Sequence, residues 1–222
     1  MEKYHYDPEE YPNLKRLAGE MIPCLETEAG WQDREIKETF PGRDQSFLAV
    51  GITLGKGIDA LQEKYLQNGF LTESYMIEVL SSELLLKSYR AYTEWVVVHR
   101  NLHVARLHFL GGGEISETSE SQIGSLLRLA NLPMLLQELA LPVTCNAAYC
   151  MIPKKSVVFY AELTKDPFTK CAGICLGCGR RDCPNRMEEK ENFPLRFADM
   201  TDRPLSYGYA RIFSKSTDEN GR

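Results

Sequence analysis

Apolar residues recur four apart between Thr72 and about Arg100. Met76, Leu80 and Leu84 form the row, Ile77 and Leu85 widen it, and Tyr89 extends it. That spacing places them on one side of a helix and predicts a long central helix with a buried stripe. Thr72 is suited to cap its start, and Glu73 to sit against the positive end of the helix dipole. Tyr89, Tyr92 and Trp95, near the other end, are expected to pack rather than to bind a cofactor.

The remaining elements are shorter. Leu14–Ile22 predicts a first helix, with Pro12 near its start and Pro23 as its stop. Ser46–Thr53 is a β-prone, largely apolar run and predicts a buried strand. Gly55 and Gly57 break it, and Ile58–Leu66 predicts a helix that ends before Asn68-Gly69. Val104–Phe109 alternates like a strand and runs into the Gly111–Gly113 turn. Ile123–Ala130 and Met134–Leu139 predict two short helices. Pro142–Thr144 begins a β-like region that Ala147–Ile152 continues. Pro153–Ser156 then turns, and Val157–Leu163 is expected to return as the second arm of a hairpin. Tyr207–Phe213 is a candidate last strand, or a segment lying over the cysteine-rich part.

Composition narrows the class. The 222 residues suffice for one large domain, or a domain with an appendage. A net charge of −5 argues against a general nucleic-acid binder. The start, Met-Glu-Lys-Tyr-His-Tyr-Asp, is acidic and aromatic, unlike a signal peptide. The longest purely apolar stretch, Ala147–Ile152, is far too short to span a membrane.

Cysteine changes the picture most. Four of the seven cysteines, Cys171, Cys175, Cys178 and Cys183, fall within thirteen residues and are followed by Pro184. The spacing is C-x3-C-x2-C-x4-C-P. Thiolates are soft anionic ligands, so four in one loop can wrap one metal centre or one cluster. Gly173, Gly177 and Gly179 permit the turns that bring neighbouring sulfurs together. Ferredoxin-type runs are similarly compact and also close on Cys-Pro. Structural zinc sites more often use two separated knuckles, and no histidine follows His108. A [4Fe–4S] cluster is therefore the leading occupant, a compact zinc site the alternative, and unligated or redox thiols the third reading. A radical S-adenosylmethionine enzyme shares the C-x3-C-x2-C spacing. However, only 44 residues follow Cys178, and Cys183 would close the open iron that such chemistry needs. The scattered Cys145 and Cys150 are expected to be buried small residues. With four cysteines clustered and three scattered, no disulfide framework is expected, and a reducing cytoplasm fits.

The order of these motifs resembles the reactivation (activation) domain of vitamin B12-dependent methionine synthase, in a stand-alone form. Four stretches carry the likeness, together spanning roughly residues 45–165. Ile52–Asp59 is similar to a T-x-G-x-x-I-D strand-to-helix step. Phe70–Leu86 is similar to the long central helix. Arg106 to Gly111 lies where the family has an arginine before a Gly-Tyr turn. Ala148–Val157 is the closest match, to S-Y-A-M-x-P-x-x-S-V. The resemblance implies an α/β (α+β) fold with a twisted, mainly antiparallel sheet flanked by helices. It divides the chain into a core at 1–165 and a cysteine-rich cluster segment at 166–222. It also implies Arg106, Gly111, Tyr149, Met151, Pro153 and Ser156 as cofactor-facing residues. The partner would be a corrinoid-binding protein or B12-dependent methyltransferase whose cobalt has slipped to Co(II), with ferredoxin or flavodoxin as electron donor.

Two features depart from the family. Arg106 is followed by Leu-His-Phe-Leu-Gly-Gly-Gly, without the tyrosine. The central helix reads Leu84-Leu-Leu86 where an acid would be expected, with Glu83 nearest. These departures leave the S-adenosylmethionine site open. The cysteine loop is absent from the fused methionine synthase domain, although Cys175-x2-Cys178-Gly-x3-Cys183 is similar to the cluster motif of corrinoid iron–sulfur proteins. Lys154 and Lys155 are expected on a solvated turn, where they could also meet a corrin or an acidic partner. A non-enzymatic, zinc-stapled binding module is the competing class. A methyltransferase accessory that kept the fold and lost cofactor binding is a third.

Overall fold

The computed structural model describes residues 8–34, 46–110, 125–169 and 171. Four strands form one sheet in the order β1 (Glu28–Arg34), β2 (Ser46–Thr53), β6 (Ser156–Thr164), β3 (His103–Phe109), with every neighbouring pair antiparallel. The expected α/β class with a mainly antiparallel sheet is what the chain adopts. β2 and β6 are central and buried on both faces, which is why they are nearly continuous apolar runs. β1 has no such run. Its sequence, Glu-Ala-Gly-Trp-Gln-Asp-Arg, belongs to a half-exposed edge strand, and it was not foreseen.

Among the described residues, four α-helices accompany the sheet: α1 (Tyr11–Met21), α2 (Lys56–Gln67), α3 (Leu71–Arg100) and α4 (Leu132–Glu138), besides a short helical end at 125–126. The stripe read from the sequence is buried: Met76, Ile77, Leu80 and Leu84 lie in a helical core with Leu14, Leu17 and Ile58. Further along α3, Tyr92, Trp95 and Val96 pack on one face of the sheet against Val50, Phe159 and Leu163. The aromatic end of α3 is therefore packing, as expected. Each fully buried side chain of this kind contributes about 1.5–3 kcal/mol of transfer free energy. α4 covers the opposite face through Leu132, Leu135 and Leu136 against Phe47, Ala49 and Tyr160. A single long helix thus joins a three-helix lobe to the sheet.

Two expectations are corrected here. Thr72 does not cap α3. The α2–α3 turn closes tightly, with Phe70 N donating to Tyr65 O at 3.0 Å, so the helix begins at Leu71 with Phe70 as its N-cap and Thr72 inside the first turn. Nor do Ala147–Ile152 and Val157–Leu163 pair as a hairpin. β2 and β3 already occupy both edges of β6. Met151–Ile152 (β5) pairs instead with Thr144–Cys145 (β4) in a small separate ribbon. Asn146 diverts the chain between them. Its side-chain oxygen accepts from Ala148 N at 2.9 Å and Cys150 N at 3.0 Å, which competes with extended pairing. Of the Ile123–Ala130 segment, the described part is a short helical end and a 3-10 turn at Leu129–Asn131. Tyr207–Phe213 lies outside the described residues.

Candidate functional site

The stretch from Cys145 to Ser156 leads into β6 and is held by three other elements. Ser156 Oγ donates to Pro153 O at 2.7 Å and accepts from Thr53 Oγ1, at the end of β2, at 2.8 Å. Leu54 N donates to Lys155 O at 2.9 Å. Asp59, in the first turn of α2, accepts from Lys154 N at 2.9 Å. From α3, Glu78 pairs with the Lys155 ammonium, which also lies 2.9 Å from Ser82 Oγ. Two stretches about a hundred residues apart in sequence, Thr53–Asp59 and Met151–Ser156, are thereby brought into contact.

The strand-to-helix step also packs closely on the Cys24–Glu26 segment. Gly55 has φ +86°, which a side chain would resist, and its N–H donates to Thr53 Oγ1 at 3.1 Å. Gly57 lies so close to the Cys24 carbonyl that a Cβ there would collide with backbone. The α2 N-terminus is already engaged, because Lys56 N donates to Glu26 Oε2 at 3.2 Å.

Lys155 overturns the expectation of a solvated turn. Its residue is 8% exposed, whereas Lys154 is exposed. Burying an ammonium is costly without a partner, and Glu78 supplies one. Partial burial alone would raise the Glu78 carboxyl. The hydrogen bond and charge of Lys155 outweigh it, helped by Gln62 and Lys154, and hold that carboxyl below its ordinary range. The acid of the central helix that reaches this loop is therefore Glu78, not Glu83. Sequence offered no periodic signal for it, since Glu78 shares its turn of α3 with buried Ile77 and Val79.

The candidate cofactor-facing residues separate into two groups. Tyr149 is exposed at 38%, and its φ of +59° is strained for a tyrosine. Met151 is half-buried and Ile152 is 50% exposed. Pro153, after a cis bond from Ile152, and Ser156 are both buried, so they support the loop from within. Arg106 stands apart, exposed on edge strand β3 at a bulge, opposite Glu162 of β6. Gly111 lies outside the described residues. Cys150 is exposed and Cys145 half-buried, which corrects the expectation that both are buried: the Asn146 turn carries Cys150 out to the surface.

Of the four expected metal ligands, Cys171 alone is described; Cys175, Cys178 and Cys183 lie outside the described residues. Cys171 packs against the apolar cluster between α3 and the sheet, and burial pushes its thiol up. Among the described residues, no group of three or more His, Cys, Asp or Glu side chains is gathered to hold a metal ion. Nor is any helix among them long and apolar enough to cross a membrane. No protein-family model and no curated protein matches the chain.

Proposed function

We propose that the protein reductively reactivates a corrinoid protein such as a B12-dependent methionine synthase, in a reducing cytoplasm. What supports this reading most is the four-cysteine run, joined at Cys171 to the face of a folded α/β core. The gathering of the Thr53–Asp59 and Met151–Ser156 stretches, both of which carry the family resemblance, supports it further.

In this reading Cys171, Cys175, Cys178 and Cys183 would hold a [4Fe–4S] cluster. Such a cluster supplies single electrons at potentials of roughly −400 mV and below, the strength that reducing Co(II) in a corrinoid demands. The protein's own residues dock the partner. Tyr149, Met151 and Ile152 offer apolar surface to the corrin face, and Lys154 offers a cation to its carboxamide rim or to an acidic partner. Pro153 and Ser156 keep that surface in place. Arg180, Arg181 and Arg186 would offset the charge of the thiolate centre or guide an electron donor. Arg106 would meet a carboxylate only if S-adenosylmethionine is a co-substrate.

Alanine at Cys178 tests the proposal. The variant is expected to lose broad visible absorbance and the reduction of cob(II)alamin together. Unchanged reduction would remove the cysteines from the mechanism. A colourless protein with one zinc per chain would instead favour the stapled binding module.

A further inference from the structure

The Glu78–Lys155–Ser82 bridge ties the loop to α3, with the lysine side chain nearly buried. We propose that Lys155 is a positioning residue: anchored on α3, it fixes the loop so that Tyr149, Ile152 and Lys154 meet a cobalamin-bearing protein preassembled. This inference rests on the corrinoid-docking reading above and adds the residue that governs it.

Three observations carry it. The Lys155 side chain is 10% exposed and points inward, while its neighbour Lys154 faces solvent. The same residue is gripped at both ends, its ammonium by Glu78 and Ser82 and its carbonyl by Leu54 N at 2.9 Å. The loop that it closes is costly to keep ordered, because Ile152 leaves half its surface in water and Tyr149, held by Asn146, sits at positive φ. A loop tip braced by an ion pair whose lysine is buried has lost its ordering entropy before a partner arrives, and such preorganisation appears as affinity.

The test pairs hydrogen exchange with binding, using the full chain and, as probe, the isolated cobalamin-binding module of a methionine synthase loaded with cob(II)alamin. In Lys155→Met, the amides of Leu54 and Lys154 should exchange faster by a factor at least about tenfold larger than that seen at Val158 and Phe159 in β6, which report only the loss of global stability. Affinity for the probe should fall about tenfold, with little dependence on salt. Lys154→Ala should leave exchange unchanged and lose affinity mainly at low salt. Ser82→Ala, which keeps the ion pair, should reproduce the Lys155→Met pattern at about two- to threefold, and it decides the matter if Lys155→Met does not fold. Equal acceleration in β6 would reduce Lys155 to a general stability residue and overturn the inference. So would unchanged loop exchange, or unchanged affinity in a loosened loop. Failure of the wild-type protein to bind the probe overturns the docking reading instead, and the exchange data still decide whether Lys155 holds the loop.

Discussion

At Lys155 and Glu78 two charges of unequal burial share one bridge, and that inequality is measurable. The Lys155 side chain is 10% exposed and that of Glu78 40%. Glu78→Ala strands a nearly buried ammonium and should cost about 2–4 kcal/mol. Lys155→Met leaves a carboxylate that water can reach and should cost about 1–2 kcal/mol. Urea midpoints check the order; the reverse order would mean that the lysine escapes to solvent. The pH dependence has a definite sign. The Glu78 carboxyl is held below its ordinary value of 4.5, so its contribution is fully present above that pH and is lost as pH falls through the lower, folded value. Lys155→Met should flatten that part of the acid-stability profile. Neither residue could be recognised in the sequence. Lys155 stands beside Lys154 on a Pro-Lys-Lys-Ser turn, and only the fold shows that one side chain turns inward to α3 while the other does not.

Among the elements, glycines separate close approach from simple turning. Gly57→Ala would drive a Cβ into the Cys24 carbonyl and should destabilise by about 2 kcal/mol or more. Gly69→Ala has open space but φ +80°, and should cost about 1 kcal/mol. Gly19→Ala, in the exposed face of α1 with open space around it, should instead stabilise by about 0.5–1 kcal/mol. Thermal melts of the three variants should rank in that order. Elements with a continuous apolar run or a strong period are legible in the sequence: β2 at Ser46–Thr53 by the first, and the stripe of α3 by the second. β1 was not legible, since an edge strand needs only one apolar side and Trp31 is its one large apolar residue. The β4–β5 ribbon is hidden because Pro153–Ser156 looks like a hairpin turn joining Ala147–Ile152 to Val157–Leu163. Chain order cannot show that β6 is already paired on both edges.

For the whole molecule, α3 couples two cores. Its first half is shared with α1 and α2, and its second half lies on the sheet. Phe159, fully buried where Tyr89, Tyr92 and Phe109 converge, is the pivot of the second. Phe159→Ala should cost about 3–5 kcal/mol and should lower the melting of the whole domain, not of the sheet alone. Cys171, the first of the proposed cluster ligands, packs against that same buried cluster. The cysteine run was the plainest chemical signal in the sequence, whereas the loop that would meet the partner needed the fold to be recognised as one braced surface. The central claim is that four late cysteines hold iron for a corrinoid partner, and metal analysis of protein purified without oxygen tests it most directly. The account predicts about four iron and four acid-labile sulfide per chain, with broad visible absorbance; one zinc, no iron and no sulfide would contradict it.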